Sequence, residues 1–333
     1  MPFAITRRSV LGGLAAGATV SAALSGIPSR AFAQSLQLFG APIGVSLPLA
    51  HLVDRNSLAP LADNATLTIW RSPDEMRAGV VSGEIELTTS PAPTAANLYN
   101  RGTGMRLAGV LTTGMLYLMT TRGGLDDLSG LAGQRVLVPF RGDMPDRVFQ
   151  LLLRAQGMRL DDLDVQYTAT PIEAAQLLLA GQADFAVLQE PAATASIMRG
   201  LAQSVPVVRA LDFQELYAET SGAALDIPMA VLILQDGLRQ RFPDLPNRLV
   251  SELRDSTAWV TNNPASAAWL GEDYLGLRQP VLERAIPFMN LSVRTPAQAR
   301  PSLERLYATL AEESAALLGG RLPDDDFYLD LQV

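Results

Sequence analysis

The sequence predicts an α/β protein of two lobes, and three observations carry that prediction. The chain has 333 residues, more than a single core usually serves. A segment is repeated: SPDEMRAGVVSGEIELTTSPAPTAANL, beginning at Ser72, has a counterpart in TPIEAAQLLLAGQADFAVLQEPAATA, beginning at Thr170. Both copies alternate helix signals with strand signals, which in a compact domain means parallel strands joined by right-handed crossovers.

Each element follows from local chemistry. Ser72, Pro73 and Glu75 have the form of an N-cap, a proline in the first turn and a capping-box acid, and Thr170, Pro171 and Glu173 repeat that form. Gly83 and Gly181 suit the left-handed position that ends a helix. After them, EIELTTS and ADFAVLQ are short, apolar and expected to be buried strands. Pro91 and Pro191 then open a second helix in each copy. Strands ATLTIWR (Ala65 to Arg71) and DVQYTAT (Asp164 to Thr170) precede the two units.

Further segments extend each sheet. LQLFGAP (Leu36 to Pro42) leads into a helix near Pro48 to Leu58, and RVLVPF (Arg135 to Phe140) leads into MPDRVFQLLLRAQG, closed by Gly157. Met105 to Thr121 reads as two strands that finish the first lobe and cross into the second. A return crossing is expected within Val205 to Gln235, and the helical pattern from Leu238 to Leu318 is expected to pack on the first lobe. The lobes are thus expected at 34–121 with 227–333, and at 122–226, with hinges near Thr120 to Gly124 and Leu225 to Pro228.

Charge and composition narrow the function. Twenty-six basic residues, all Arg, against 34 acidic ones give a net −8, which argues against a nucleic-acid surface. Cysteine is absent, which removes thiol catalysis and cysteine-ligated metals. His51 is the only histidine and no acidic cluster with ligand spacing lies near it, so no metal and no cofactor is expected. No G-x-S-x-G elbow, P-loop or G-x-G-x-x-G follows a strand, and no catalytic residue is assigned.

The N-terminus points to export. TRRSVLGG (Thr6 to Gly13) is followed by small apolar residues to Ile27 and by AFA at Ala31 to Ala33, which together make a secretory signal over residues 1–33. The adjacent Arg7 and Arg8 give it a twin-arginine form, which names the twin-arginine translocase as an export partner and the periplasm as the destination. As an uncleaved anchor, Val10 to Ile27 is only just long enough and is weakened by Gly, Ser and Thr. Removing residues 1–33, which hold three Arg and no acid, leaves 23 Arg against 34 acids, a net −11.

LAGQRVLVPFRGDMPD, LLAGQADFAVLQEPAATA and GEIELTTSPAPTAANLYNRG resemble periplasmic solute-binding proteins of ABC importers, in the branch that handles nitrate, sulfonates and taurine. The resemblance spans roughly Leu36 to Met198; the C-terminal third is far less diagnostic. It implies the periplasmic-binding-protein fold, two α/β lobes with two hinge crossings of the type II kind, and ligand in the cleft. It also implies a small-molecule solute, an ABC permease and its ATPase as partners. A small-molecule biosynthetic enzyme and a periplasmic sensory receptor on the same clamp stay open as alternatives, and gene neighbours would separate importer from sensor.

Open parallel sheets bind ligands beyond the carboxyl ends of their strands. Five loops qualify: Ala41 to Pro48, Thr89 to Thr94, Thr112 to Tyr117, Phe140 to Pro145 and Leu188 to Thr194. Helix N-termini there favour an anionic or acceptor-rich solute. The ligand-binding candidates are Ser46, His51, Ser90, Thr94, Tyr117, Arg141, Asp143, Glu190 and Thr194. Structural roles are also available to them. Ser90 and Thr94 suit helix caps, Tyr117 a core position, and Glu190 a helix N-terminus. Arg141 and Asp143 suit a mutual ion pair or contact with solvent, and His51 is expected at the cleft rim or in solvent. Asp143 and Glu190 could also meet across the cleft mouth as a carboxylate pair.

Overall fold

The computed structural model describes residues 35–221 and 226–333, so the expected export signal at 1–33 lies outside the described residues. The first copy of the repeat folds as expected. β1 (Ser35–Gly40) is followed by α1 (Leu47–Asp54), β2 (Asn64–Ile69), α2 (Pro73–Ser82), β3 (Leu87–Pro91) and α3 (Ala92–Asn100). The second copy gives β6 (Arg135–Pro139), α4 (Met144–Ala155), β7 (Asp164–Thr168), α5 (Pro171–Leu179), β8 (Phe185–Gln189) and α6 (Ala192–Ala202). Both Ser72 and Thr170 accept the N–H of the glutamate three residues on, at 3.2 and 3.1 Å. Gly83 and Gly181 take φ of 82° and 68°, the left-handed conformation a side chain would resist. Pro91 and Pro191 stand at the N-cap, one position before the helix itself.

Two strands bridge the copies, β4 (Met105–Thr112) and β5 (Leu116–Thr120), and β9 (Val208–Asp212), α7 (Phe213–Ser221) and β10 (Ala230–Gln235) return the chain. The remainder forms α8 (Asp236–Arg241), α9 (Leu245–Asn262), α10 (Pro264–Leu275), α11 (Gln279–Ala285), β11 (Leu291–Arg294) and α12 (Pro296–Glu313). Strand β11 breaks the expected helical run: LSVR pairs antiparallel with β4 at the sheet edge.

The first sheet runs β2, β1, β3, β10, β4, β11 and the second runs β7, β6, β8, β5, β9. The two orders match. In each, the first strand of a repeat sits between two parallel partners, and the fourth position is taken by an antiparallel strand delivered from the other sheet. The molecule is therefore two-lobed, and the fourth strand of each sheet is the first one the chain forms after crossing over.

Sheet membership corrects the first expected crossing. β5 pairs with β8 and β9, so the chain has already changed sheets before Thr120 and passes over at Thr113 to Met115. Gly114, with φ of 128°, makes the turn, and a Cβ there would stand 2.4 Å from Gln214 Cγ. The return lies near Asp226 to Met229, and the Ile227 N–H donates to Thr113 O at 2.8 Å. The two crossings thus touch.

Packing follows the pattern of each element. α4 buries Val148, Phe149, Leu152 and Leu153 against the second sheet, and Phe149 stacks on Phe213 with centroids 6.0 Å apart. α9 and α12 bury leucines onto the first sheet. Each fully buried leucine contributes about 1.5–3 kcal/mol of transfer free energy. No helix among the described residues is long and apolar enough to cross a membrane.

Candidate functional site

A cavity of about 290 Å³ opens between the two sheets' helices. From the first-sheet side it is lined by Arg77 on α2, by Pro93, Thr94 and Asn97 at the start of α3, and by Leu310 and Leu317. The second-sheet side contributes the segment from Arg141 to Met144, and Arg147 on α4. Three guanidinium groups thus face one carboxylate, Asp143.

The loop before α4 is built to hold this shape. Phe140 takes a φ of 57° and Gly142 one of 77°, and a left-handed bulky residue is strained. Backbone bonds over-determine the loop: the Phe140 N–H donates to Thr168 O at 3.1 Å and the Asp143 N–H to Phe140 O at 2.9 Å. Asp143 caps α4, its Oδ1 accepting the Met144 N–H at 2.9 Å. Asp146, buried one turn on, reaches back to accept the Gly142 N–H at 2.7 Å.

The charges around the cavity are unequally engaged. Arg77 donates to Asp74 at 2.7 Å and lies 3.6 Å from Asp143, and Arg147 is held by Glu313. Arg141 is exposed and sits over the Tyr167 ring at 5.0 Å. Among the described residues it makes no ion pair, so of the two expected arrangements Arg141 takes solvent, and Asp143 pairs with Arg77 instead. Burial and the neighbouring Asp146 push the Tyr167 hydroxyl up to about 12. That hydroxyl donates to Asp146 at 3.2 Å, which keeps the ring under Arg141.

Tyr117, Glu190 and Thr194 come together elsewhere, around a residue that the sequence did not single out. Arg209 on β9 donates to Glu190, with Nε at 3.1 Å and Nη2 closer, and to Thr194 Oγ1 at 2.7 Å. Its guanidinium lies 3.8 Å from the Phe288 ring centroid and 5.1 Å from that of Tyr117. The Tyr117 hydroxyl donates to Phe288 O at 2.8 Å. Glu190 is fully buried and also accepts the Thr194 N–H at 3.1 Å, the helix N-terminal role anticipated for it. Burial pushes its carboxyl up, and Arg209 opposes that shift. Since Glu190 is engaged with Arg209 and Asp143 with Arg77, the two carboxylates do not form a pair.

Ser46, Ser90 and His51 are turned inward. Ser46 Oγ donates to Ala41 O at 2.7 Å, and Ser90 Oγ to Pro91 O at 3.1 Å, without capping α3. His51 is the clear correction: it faces neither rim nor solvent but lies buried, stacked on Trp259 at 3.9 Å with an interplanar angle of 10°. Burial lowers its pKa below 6.5. It sits on α1, which packs against α9, and that apolar interface outweighs the polarity of one ring. Among the described residues no group of three His, Asp or Glu is placed to hold a metal ion.

Thr94, Arg141 and Asp143 are therefore brought to one cavity, and Arg77 and Arg147 join them. Arg147 was legible, since it follows the cap Asp143 by four residues and so lies one turn into α4.

The sequence matches no protein-family model and no curated protein. Its fold does have counterparts among solved structures. An ABC transporter protein from Parabacteroides distasonis superposes with a TM-score of 0.75 at 22% identity, covering 89% of this chain and 99% of that one. The periplasmic aliphatic sulphonate-binding protein SsuA of Escherichia coli gives 0.69 at 13%, covering 90% and 95%. The periplasmic nitrate-binding protein NrtA of Synechocystis gives 0.58 at 14%, covering 76% and 70%. The chain has the fold of these binding proteins.

Proposed function

We propose that this chain is a periplasmic solute receptor of an ABC importer, exported by a twin-arginine signal in residues 1–33. It takes a small anionic or acceptor-rich solute between its lobes and delivers it, unchanged, to a membrane permease driven by an ATPase. On this reading one lobe comprises residues 34–113 and 227–333 and the other residues 114–226, hinged at the two touching crossings.

The observation that carries the reading is the cavity itself: Arg77 and Arg147 from opposite sheets, with Arg141 beside them, and the first turns of α3 and α4 on its walls. Helix N-termini and guanidinium groups both favour negative charge. Arg141 carries no carboxylate partner among the described residues and is the charged contact available to a solute. The shared fold of nitrate-binding and sulphonate-binding proteins supports the same reading.

A thermal-shift panel of nitrate, alkanesulfonates, small carboxylates and neutral heterocycles tests it. The cognate anion should stabilise the purified protein by about 2.7 kcal/mol at about one hundred times its dissociation constant, and mass spectrometry should recover it intact. A cationic solute as best stabiliser would overturn the anion reading. Consumption of the solute would overturn the receptor reading.

A further inference from the structure

Three arginines that line or border the cavity are bridged across it by carboxylates of the opposite lobe. Glu313, the last residue of α12 on the first-sheet side, bonds both Arg147 and, at 3.2 Å, Arg154 of α4 on the second-sheet side. On the other edge Asp143, which opens α4, lies 3.6 Å from Arg77 of α2. Arg147 and Glu313 are only 19% and 26% exposed, so their attraction is less screened than that of a fully solvated pair.

We propose that these bridges are a charge clasp that holds the two lobes together in the empty protein, with Glu313 as its central residue. Glu313 engages two guanidinium groups two turns apart on one face of α4, so it restrains the angle of that helix as well as its distance. Opening the cavity requires Arg147 and Arg154 to leave Glu313, and Arg77 to leave Asp143. An entering anion meets Arg141 first, since that guanidinium is not held by a carboxylate among the described residues. The clasp thus regulates access to the site of the proposed function and rests on that reading for its purpose, but the ion pairs themselves are tested on the solute-free chain whatever the site binds.

The test exploits the absence of cysteine from the chain. Val81→Cys on α2 and Ile172→Cys on α5, at positions 69% and 63% exposed, carry one spin label on each lobe. Double electron-electron resonance on the solute-free full chain then reads the distance between lobes. In about 20 mM salt the parent should show a single compact distance, and Glu313→Gln should raise the long-distance population about five-fold. About 1 M salt should raise it in the parent to the level of that variant. Asp74→Asn, which removes only the partner of Arg77 within its own helix, should leave the distribution unchanged. If Glu313→Gln keeps the parent's distribution in low salt, the clasp is refuted, whether or not salt opens the parent. Should Glu313→Gln fail to fold, the salt series on the parent decides: no broadening overturns the proposal. A protein that binds no anion at all would defeat the anion reading of the site and leave this result untouched.

Discussion

Removing Arg209 should cost more than removing the glutamate it pairs with, and the difference should depend on pH. Glu190 is fully buried, whereas the Arg209 side chain keeps 19% of its surface exposed and has other partners in Thr194 Oγ1 and the Phe288 ring. Arg209→Met strands a carboxylate that has only the Thr194 backbone and side chain to oppose its burial among the described residues. Breaking a buried pair in this way costs about 3–5 kcal/mol. Glu190→Gln leaves a guanidinium that can turn to solvent and an amide that can still accept, and about 1–3 kcal/mol is expected.

The pH dependence follows from linkage. Burial already pushes the Glu190 carboxyl up, and Arg209 is what opposes it. In Arg209→Met the folded state therefore holds its proton more tightly than the unfolded state does. The penalty is absent below the unfolded carboxylate value of about 4.3 and grows as pH rises through the raised folded value, by up to about 1.4 kcal/mol per unit. Urea unfolding followed by circular dichroism at about pH 5 and about pH 7.5 reads this directly. Arg209→Met should lie closer to the parent at the lower pH, and Glu190→Met with Arg209→Met should recover much of the loss. An Arg209→Met penalty that is equal at both pH values, or no larger than that of Glu190→Gln, would refute the reasoning.

Other outcomes are expected. Arg141→Ala should weaken binding of a cognate anion at least about ten-fold, with the melting temperature of the empty protein nearly unchanged because the side chain is exposed; calorimetric titration and a melt check this. His51→Phe should keep the stack on Trp259 while removing a buried group that resists protonation. Stability of the parent should fall as pH drops below about 6.5, by up to about 1.4 kcal/mol per unit, and the variant's unfolding curves should show a flatter slope there. Replacing Arg7 and Arg8 together with Lys should leave a precursor in the cytoplasm, visible by fractionation, and normal delivery would rule out the twin-arginine route.

Much of the fold was legible because its signals are local. A hydroxyl N-cap, a first-turn proline and a glutamate at the third helical position act within one turn. The left-handed glycines at 83 and 181 act on their own backbone, so α2 and α5 could be placed from Ser72 and Thr170. The crossing was misplaced for the opposite reason. LYLMT is apolar enough for either sheet, and only its pairing with β8 and β9 assigns it to the second. Strand β11 was hidden likewise: its four residues pair with β4 far away in sequence, and nothing in LSVR overrides the helical pattern on both sides.

The site divides along the same line. Thr94, Arg141 and Asp143 could be named because each lies at a helix start that follows a strand, a place defined by short-range order. Arg209 could not, because its role depends on register. The pairing of Met119 with Arg209 in β9 and of Met119 with Ala186 in β8 sets Arg209 level with the start of β8, and its long side chain runs past the Tyr117 ring to reach Glu190 just beyond the strand's end. A glutamate before a proline advertises itself in sequence; the arginine that neutralises it is nineteen residues on and reaches it across the intervening strand β5. The sign of the potential in a cleft depends on such pairings. An unpaired Glu190 would repel an anion, while the folded chain cancels that charge internally and leaves Arg141 as a charge presented to solvent at the cavity.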